Sequence, residues 1–132
     1  MIVNTGKTRL LNAQITYLNG LYFGLFTSNT TISDSTTWSS LTEASWSGYA
    51  RVAANNWGTP TLVTNTAQSL SAVTPLFTNS TGSSVTFFGW FLIDTSSGGP
   101  YLIAAVNMGS TSIPAGQSFG FAPGITDNDV AG

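Results

Sequence analysis

Residues Val85 to Asp94 read VTFFGWFLID, and this stretch decides the fold. It is the most hydrophobic part of the chain. Laid out as a strand, it puts Val85, Phe87, Phe91 and Ile93 on one face and Phe88, Trp90 and Leu92 on the other. A strand that is apolar on both faces is central, covered on each side by another layer or by a neighbouring subunit. Its neighbours read accordingly. Ser96 to Pro100 is a loop, and Tyr101 to Val106 (YLIAAV) returns as a hairpin partner. Upstream, Leu21 to Ser28 (LYFGLFTS) is short, aromatic-rich and bounded by Gly20 and Asn29, so it is a strand as well.

Further strands are expected at Tyr49 to Ala54, Thr61 to Thr64, Ser69 to Thr78 and Gln117 to Phe121. Pro75 assigns the third of these to an edge or a bulge. About seven short strands joined by turns rich in Gly, Pro and Asn predict a mainly β chain, a single antiparallel β-sandwich or barrel. One helix precedes it, over Gly6 to Asn19. Leu11, Ile15 and Leu18 recur there at i, i+4 and i+7, with Asn4 or Thr5 as cap and Gly20 as stop. At 132 residues the chain forms one domain over 1–132, ending in a surface tail from about 122 to 132.

Only 6% of the residues are charged, so each charge carries information. The stretch Leu41 to Val52 (LTEASWSGYARV) holds the only glutamate, Glu43, and one of three basic residues, Arg51. Trp46, Gly48 and Tyr49 lie between them. Gly48 supplies the backbone freedom of a tight turn, and Tyr49 and Val52 favour the strand that follows. Glu43 and Arg51 are therefore a candidate ion pair across that turn. The alternative is two unrelated solvated charges, since exposed pairs contribute little.

The other polar groups are mostly Ser, Thr and Asn, which give little repulsion between copies. A net charge of −2, with only Lys7, Arg9 and Arg51 positive, argues against nucleic acid. Cysteine and histidine are both absent, which removes disulfides, thiolate metal sites, the usual zinc ligand and the Ser-His relay. No cofactor or metal is expected. No apolar run is long enough to cross a membrane, and Met1 to Gly6 does not open a secretory signal. The carboxylates Asp34, Glu43, Asp94, Asp127 and Asp129 lie mostly in turns or the tail, and Asp127-Asn128-Asp129 lacks the rest of a calcium loop. An enzyme is not expected. Asn29-Thr30-Thr31 and Asn79-Ser80-Thr81 match glycosylation acceptors but read as loop chemistry. Trp90 is core by its strand. Trp38 and Trp57, in polar loops, are candidates for exposure, as interface anchors before sugar platforms. With the helix stripe Leu11, Ile15 and Leu18 they form the candidate interface.

A helical N-terminal segment and an apolar strand (Leu21 to Phe26) precede Leu41-Thr42-Glu43-Ala44 and Gly48-Tyr49-Ala50. Phe77-Thr78-Asn79 and Phe88-Gly89-Trp90 follow. This order resembles a diffuse family of small structural proteins of tailed bacteriophages, from about Asn4 to Val106. The resemblance implies a virion protein made in the host cytoplasm. It would be a capsid decoration or cement protein binding the major capsid protein and copies of itself. A tail or fibre component is the other placing. As an alternative function, a fibre-associated module would bind surface glycans.

Overall fold

The computed structural model describes residues 3–127 apart from 55, 56, 65, 71–73 and 100. Helix α1, Asn4–Leu18, comes first, and the chain turns at once into strand β1, Leu21–Phe26. A long connection holding one 3-10 turn, Trp38–Ser40, leads to β2, Val52–Ala54. Then come β3 (Thr61–Val63), β4 (Thr66–Leu70), β5 (Leu76–Thr78) and β6 (Val85–Ile93). The last three strands are β7 (Leu102–Ile113), β8 (Ser118–Gly120) and β9 (Gly124–Asp127). The chain is mainly β with one N-terminal helix, as its turn spacing predicts.

All pairings are antiparallel. β2-β1-β6-β7 form the main sheet, β3-β4-β9 a second, and β5-β8 a two-stranded ribbon. One face of the main sheet buries Leu21, Phe23, Leu25, Phe87 and Leu92 against Phe77 of β5, Trp57 and Leu18 of α1. The other face buries Phe26, Phe91 and Ile93 under Leu41, with Ile32 and Trp38 of the long connection packed on them. The packing is sandwich-like and the sheet does not close into a barrel. The middle strands are apolar on both faces because each face has a cover.

The two faces of β6 are not those that strict alternation assigns. Val85, Phe87, Trp90 and Leu92 belong to the first face, and Phe88, Phe91 and Ile93 to the second. The cause is a bulge. Phe87 pairs with Thr111 but Gly89 pairs with Asn107, so residues 108–110 of β7 stand opposite Phe88 alone. Such an irregularity twists the strand and breaks its period of two.

The glycines of the central pair have a steric reason. In the β1–β6 register, Gly24 faces Phe91 and Phe26 faces Gly89. Each ring folds over the glycine opposite it. A Cβ at Gly24 would lie 2.2 Å from Phe91 Cζ, and one at Gly89 2.6 Å from Phe26 Cζ and 1.9 Å from the Val106 carbonyl oxygen. Two aromatics thus pack flat on the sheet where two further side chains would force them off.

Two other expectations need correction. The helix begins at Asn4, with Val3 rather than Asn4 or Thr5 in the cap position, and Asn19 closes it in a right-handed conformation. The Tyr101 strand extends to Ile113, because Met108, Gly109 and Ser110 are absorbed by the bulge. Part of the tail, Gly124–Asp127, forms a strand that pairs with β4. Asp129 lies outside the described residues.

Gly89→Ala is expected to lower stability by about 1–3 kcal/mol or more, since backbone as well as a ring must move. Gly82→Ala, where an added Cβ meets nothing within 4 Å, is expected to stay within about 0.5 kcal/mol. Urea denaturation of the two variants checks both.

Candidate functional site

The stretch Leu41 to Val52 forms an excursion on the free side of β1. Residues 21–23 of β1 pair with β2, while Phe26 bridges to Glu43 and Leu25 accepts from the Ala44 amide at 2.9 Å. Both flanks of the excursion therefore pair with the same strand. Between them, residues 45–51 leave the sheet, and the Leu25 amide would lose its ladder partner. The Tyr49 hydroxyl takes that place, accepting from Leu25 N at 3.1 Å. The same hydroxyl donates to Glu43 Oε1 at 2.9 Å.

Glu43 and Arg51 close the excursion at its base. Arg51 Nε donates to Glu43 Oε1 and Nη2 to Glu43 Oε2, each at 2.8 Å, the two-pronged arrangement that suits a planar guanidinium. Arg51 Nη1 also donates to the Thr95 carbonyl at 2.8 Å, and Nη2 to the Gly98 carbonyl at 2.6 Å. Its carbon lies 5.0 Å from the Trp38 ring centroid and 5.4 Å from that of Phe91. The Arg51 side chain is only 3% exposed and that of Glu43 25%. One cation thus joins the excursion, the Trp38 connection and the β6–β7 loop. Its desolvation is offset because four donor contacts and two ring faces replace water.

The turn itself is held from the other side. Tyr49 N donates to the Trp46 carbonyl at 3.1 Å, and Gly48 has φ +92, which a side chain would strain. A Cβ at Gly48 would also meet Ser80 Oγ at 2.4 Å. Ser80 N donates to the Ser47 carbonyl, and Trp46 Nε1 to the Thr78 carbonyl at 3.0 Å. Tyr49 stacks on Phe77 at 6.0 Å and 17°. Burial pushes the Tyr49 hydroxyl above the ordinary phenol range; the Leu25 amide opposes this, Glu43 adds to it and Arg51 opposes it.

The structure brings Glu43, Gly48, Tyr49 and Arg51 together. It does not gather the candidate interface. Trp57 is 9% exposed, packs on Phe23 and donates from Nε1 to the Ala54 carbonyl. Leu11 and Leu18 are buried and Ile15 packs on the core, so the helix stripe is used within the chain. Trp38 is half-buried beneath Arg51 and against Phe91 at 5.0 Å. Polar neighbours in sequence suggested exposed tryptophans; in the fold, both indoles pack against a buried phenylalanine ring. Sequence reasoning missed Thr95 and Gly98 as partners, because carbonyl contacts across more than forty residues leave no local pattern, and it missed the Tyr49 hydroxyl because a side chain standing in for a ladder carbonyl leaves none either. Asn79 was legible as a turn residue but not as a core one. It is fully buried, donating to the Ser83 and Ile113 carbonyls and accepting from Thr81.

Residues 5–128 match the sequence model of the family described as Podophage GP4 fiber I protein gp80. The chain belongs to that family, and is thereby a bacteriophage structural protein. No curated protein matches it.

Arg51→Ala is expected to cost about 3–5 kcal/mol, because it strands Glu43 and two carbonyls. Glu43→Ala leaves the buried guanidinium without its carboxylate, and a loss of similar size is expected. The double variant should fall short of the summed losses by about 0.5–3 kcal/mol, and additivity would contradict the pairing. Tyr49 supplies a separate test. The folded chain keeps the phenol proton at pH values where the unfolded chain releases it. The Tyr49 contribution is therefore complete below about pH 10 and declines as pH rises through the folded pKa. Denaturation midpoints should fall above pH 10 more steeply in the wild type than in Tyr49→Phe, by up to about 1.4 kcal/mol per pH unit.

Proposed function

We propose that this chain is a tail-fibre subunit of a podophage particle rather than a decoration protein of its head. The observation that carries the reading is the family match, which spans nearly the whole chain. The physical character of the chain supports it. A fibre subunit has to hold one shape while exposed, and here buried polar bonds fasten the loops on both sides of the main sheet. Its surface is rich in Ser, Thr and Asn and poor in charge, which suits close lateral packing with neighbouring subunits. Association with its own copies or with other fibre proteins belongs to this proposal, whereas binding to the major capsid protein draws no support from the match.

The glycan-binding variant of a fibre role needs a stacking platform. Trp57 is buried, and Trp38 is half-buried with Arg51 over its ring and Phe91 against it, so neither of the tryptophans proposed from sequence is a fully exposed platform. The proposal therefore rests on structure and assembly, not on sugar stacking.

Gold-labelled antibody to this chain, imaged on purified particles, tests the reading. Label on the tail appendages, in low copy number by quantitative mass spectrometry, is expected. Hundreds of copies spread over the head would return the protein to capsid decoration.

A further inference from the structure

Strand β7 is the longest of the fold and forms the outer margin of the main sheet, with β6 its one strand partner among the described residues. Sheets normally blunt such a margin with charge, with proline or by covering it. No Asp, Glu, Lys or Arg occurs between Asp94 and Asp127, and Tyr101, Ile103, Val106 and Met108 are all exposed. Two grooves flank the same short run. On one side, residues 102–105 and the connection around Asp34 bound about 450 Å³. On the other, Ile103 and the outer face of α1, with Leu10 and Tyr17, bound an apolar groove of about 590 Å³.

We propose that the β7 margin over residues 102–106 docks an extended segment of a different particle protein, one in which apolar side chains alternate with basic ones. The source of that segment rests on the fibre reading; the chemistry does not. A strand added to an open edge takes main-chain hydrogen bonds from it, and its successive side chains fall to opposite faces. One set meets the apolar groove against α1. The other meets the groove that holds Asp34, whose carboxylate selects a basic partner. A second copy of this chain cannot supply that partner as a strand. Its basic residues are Lys7 and Arg9, both within α1, and Arg51, which is buried in its ion pair.

The test is an NMR titration of the full chain with the synthetic peptide Thr-Val-Lys-Val-Lys-Val-Thr and with its Glu-for-Lys counterpart. Amide shifts centred on residues 101–107 and 32–36 are expected, with at least tenfold tighter binding of the Lys peptide. Asp34→Asn should reduce that preference to within about twofold. Ala105→Pro and Val106→Pro form an internal control, since neighbouring residues of a strand direct their N–H groups to opposite sides. One variant should lose a bond to β6 and melt early; the other should keep its melting temperature and lose the peptide. Shifts confined to other surfaces, or equal affinity for the two peptides, would overturn the proposal. So would concentration-dependent shifts of β7 without peptide, which would make a second copy the occupant. Docking on a protein that antibody fails to find on fibres would refute the fibre assignment alone. Fibre label without docking would refute only the strand site.

Discussion

The ion pair of Arg51 with Glu43 is the constraint on which one side of this molecule depends. It sits where β1 changes partners, between the pairing with β2 and the bridge to Glu43. At such a place a sheet normally frays, because an amide is left without a carbonyl. Here the Tyr49 hydroxyl fills the gap, the carboxylate orients the hydroxyl, and the guanidinium holds the carboxylate. The remaining Arg51 donors then reach the loop after β6, and its face packs on Trp38 and Phe91. A residue of the same charge without the planar fork could not fill all these roles at once. Because the group is largely buried, loss of one member leaves the others without partners.

The apolar layer beneath it follows from the same arrangement. Phe91 lies under the guanidinium and over Gly24, and Phe26 lies over Gly89. The glycines let the rings lie flat, and the flat rings give Trp38 and Leu41 a surface on which to pack. The long connection needs few regular hydrogen bonds because its buried residues are held by this layer and its polar residues by short side-chain contacts such as those of Thr30 and Thr37.

Much of this could be read before any coordinates. The both-sided apolarity of Val85 to Ile93 marked the central strand, and the scarcity of charge singled out Glu43 and Arg51. Gly48 and Tyr49 marked the turn between them. What escaped was whatever depends on contacts distant in sequence. The bulge opposite Phe88 exchanges the faces of the β6 side chains that follow it, Trp90 to Ile93, and no local signal reports it. Trp57, surrounded by Asn, Gly and Thr, looked exposed, yet Phe23 and the helix end enclose it. The pairing of Gly124–Asp127 with β4 was hidden because a four-residue strand with three glycine or polar positions has almost no periodicity. Membership of a phage structural family was legible from the order of motifs, whereas the place within the particle was not, because a β-rich chain of low charge suits packing against neighbours in either place.

Native-state hydrogen exchange of Arg51→Lys, compared residue by residue with the wild type, tests the central claim most directly. Lysine keeps the charge and removes the fork. If Arg51 holds the excursion and its neighbours as one unit, amides of Leu25, Ala44 and Tyr49 should lose protection together. Amides of β6 that face β7 should keep theirs. Unchanged protection at Leu25, or a uniform loss over the whole sheet, would contradict the account.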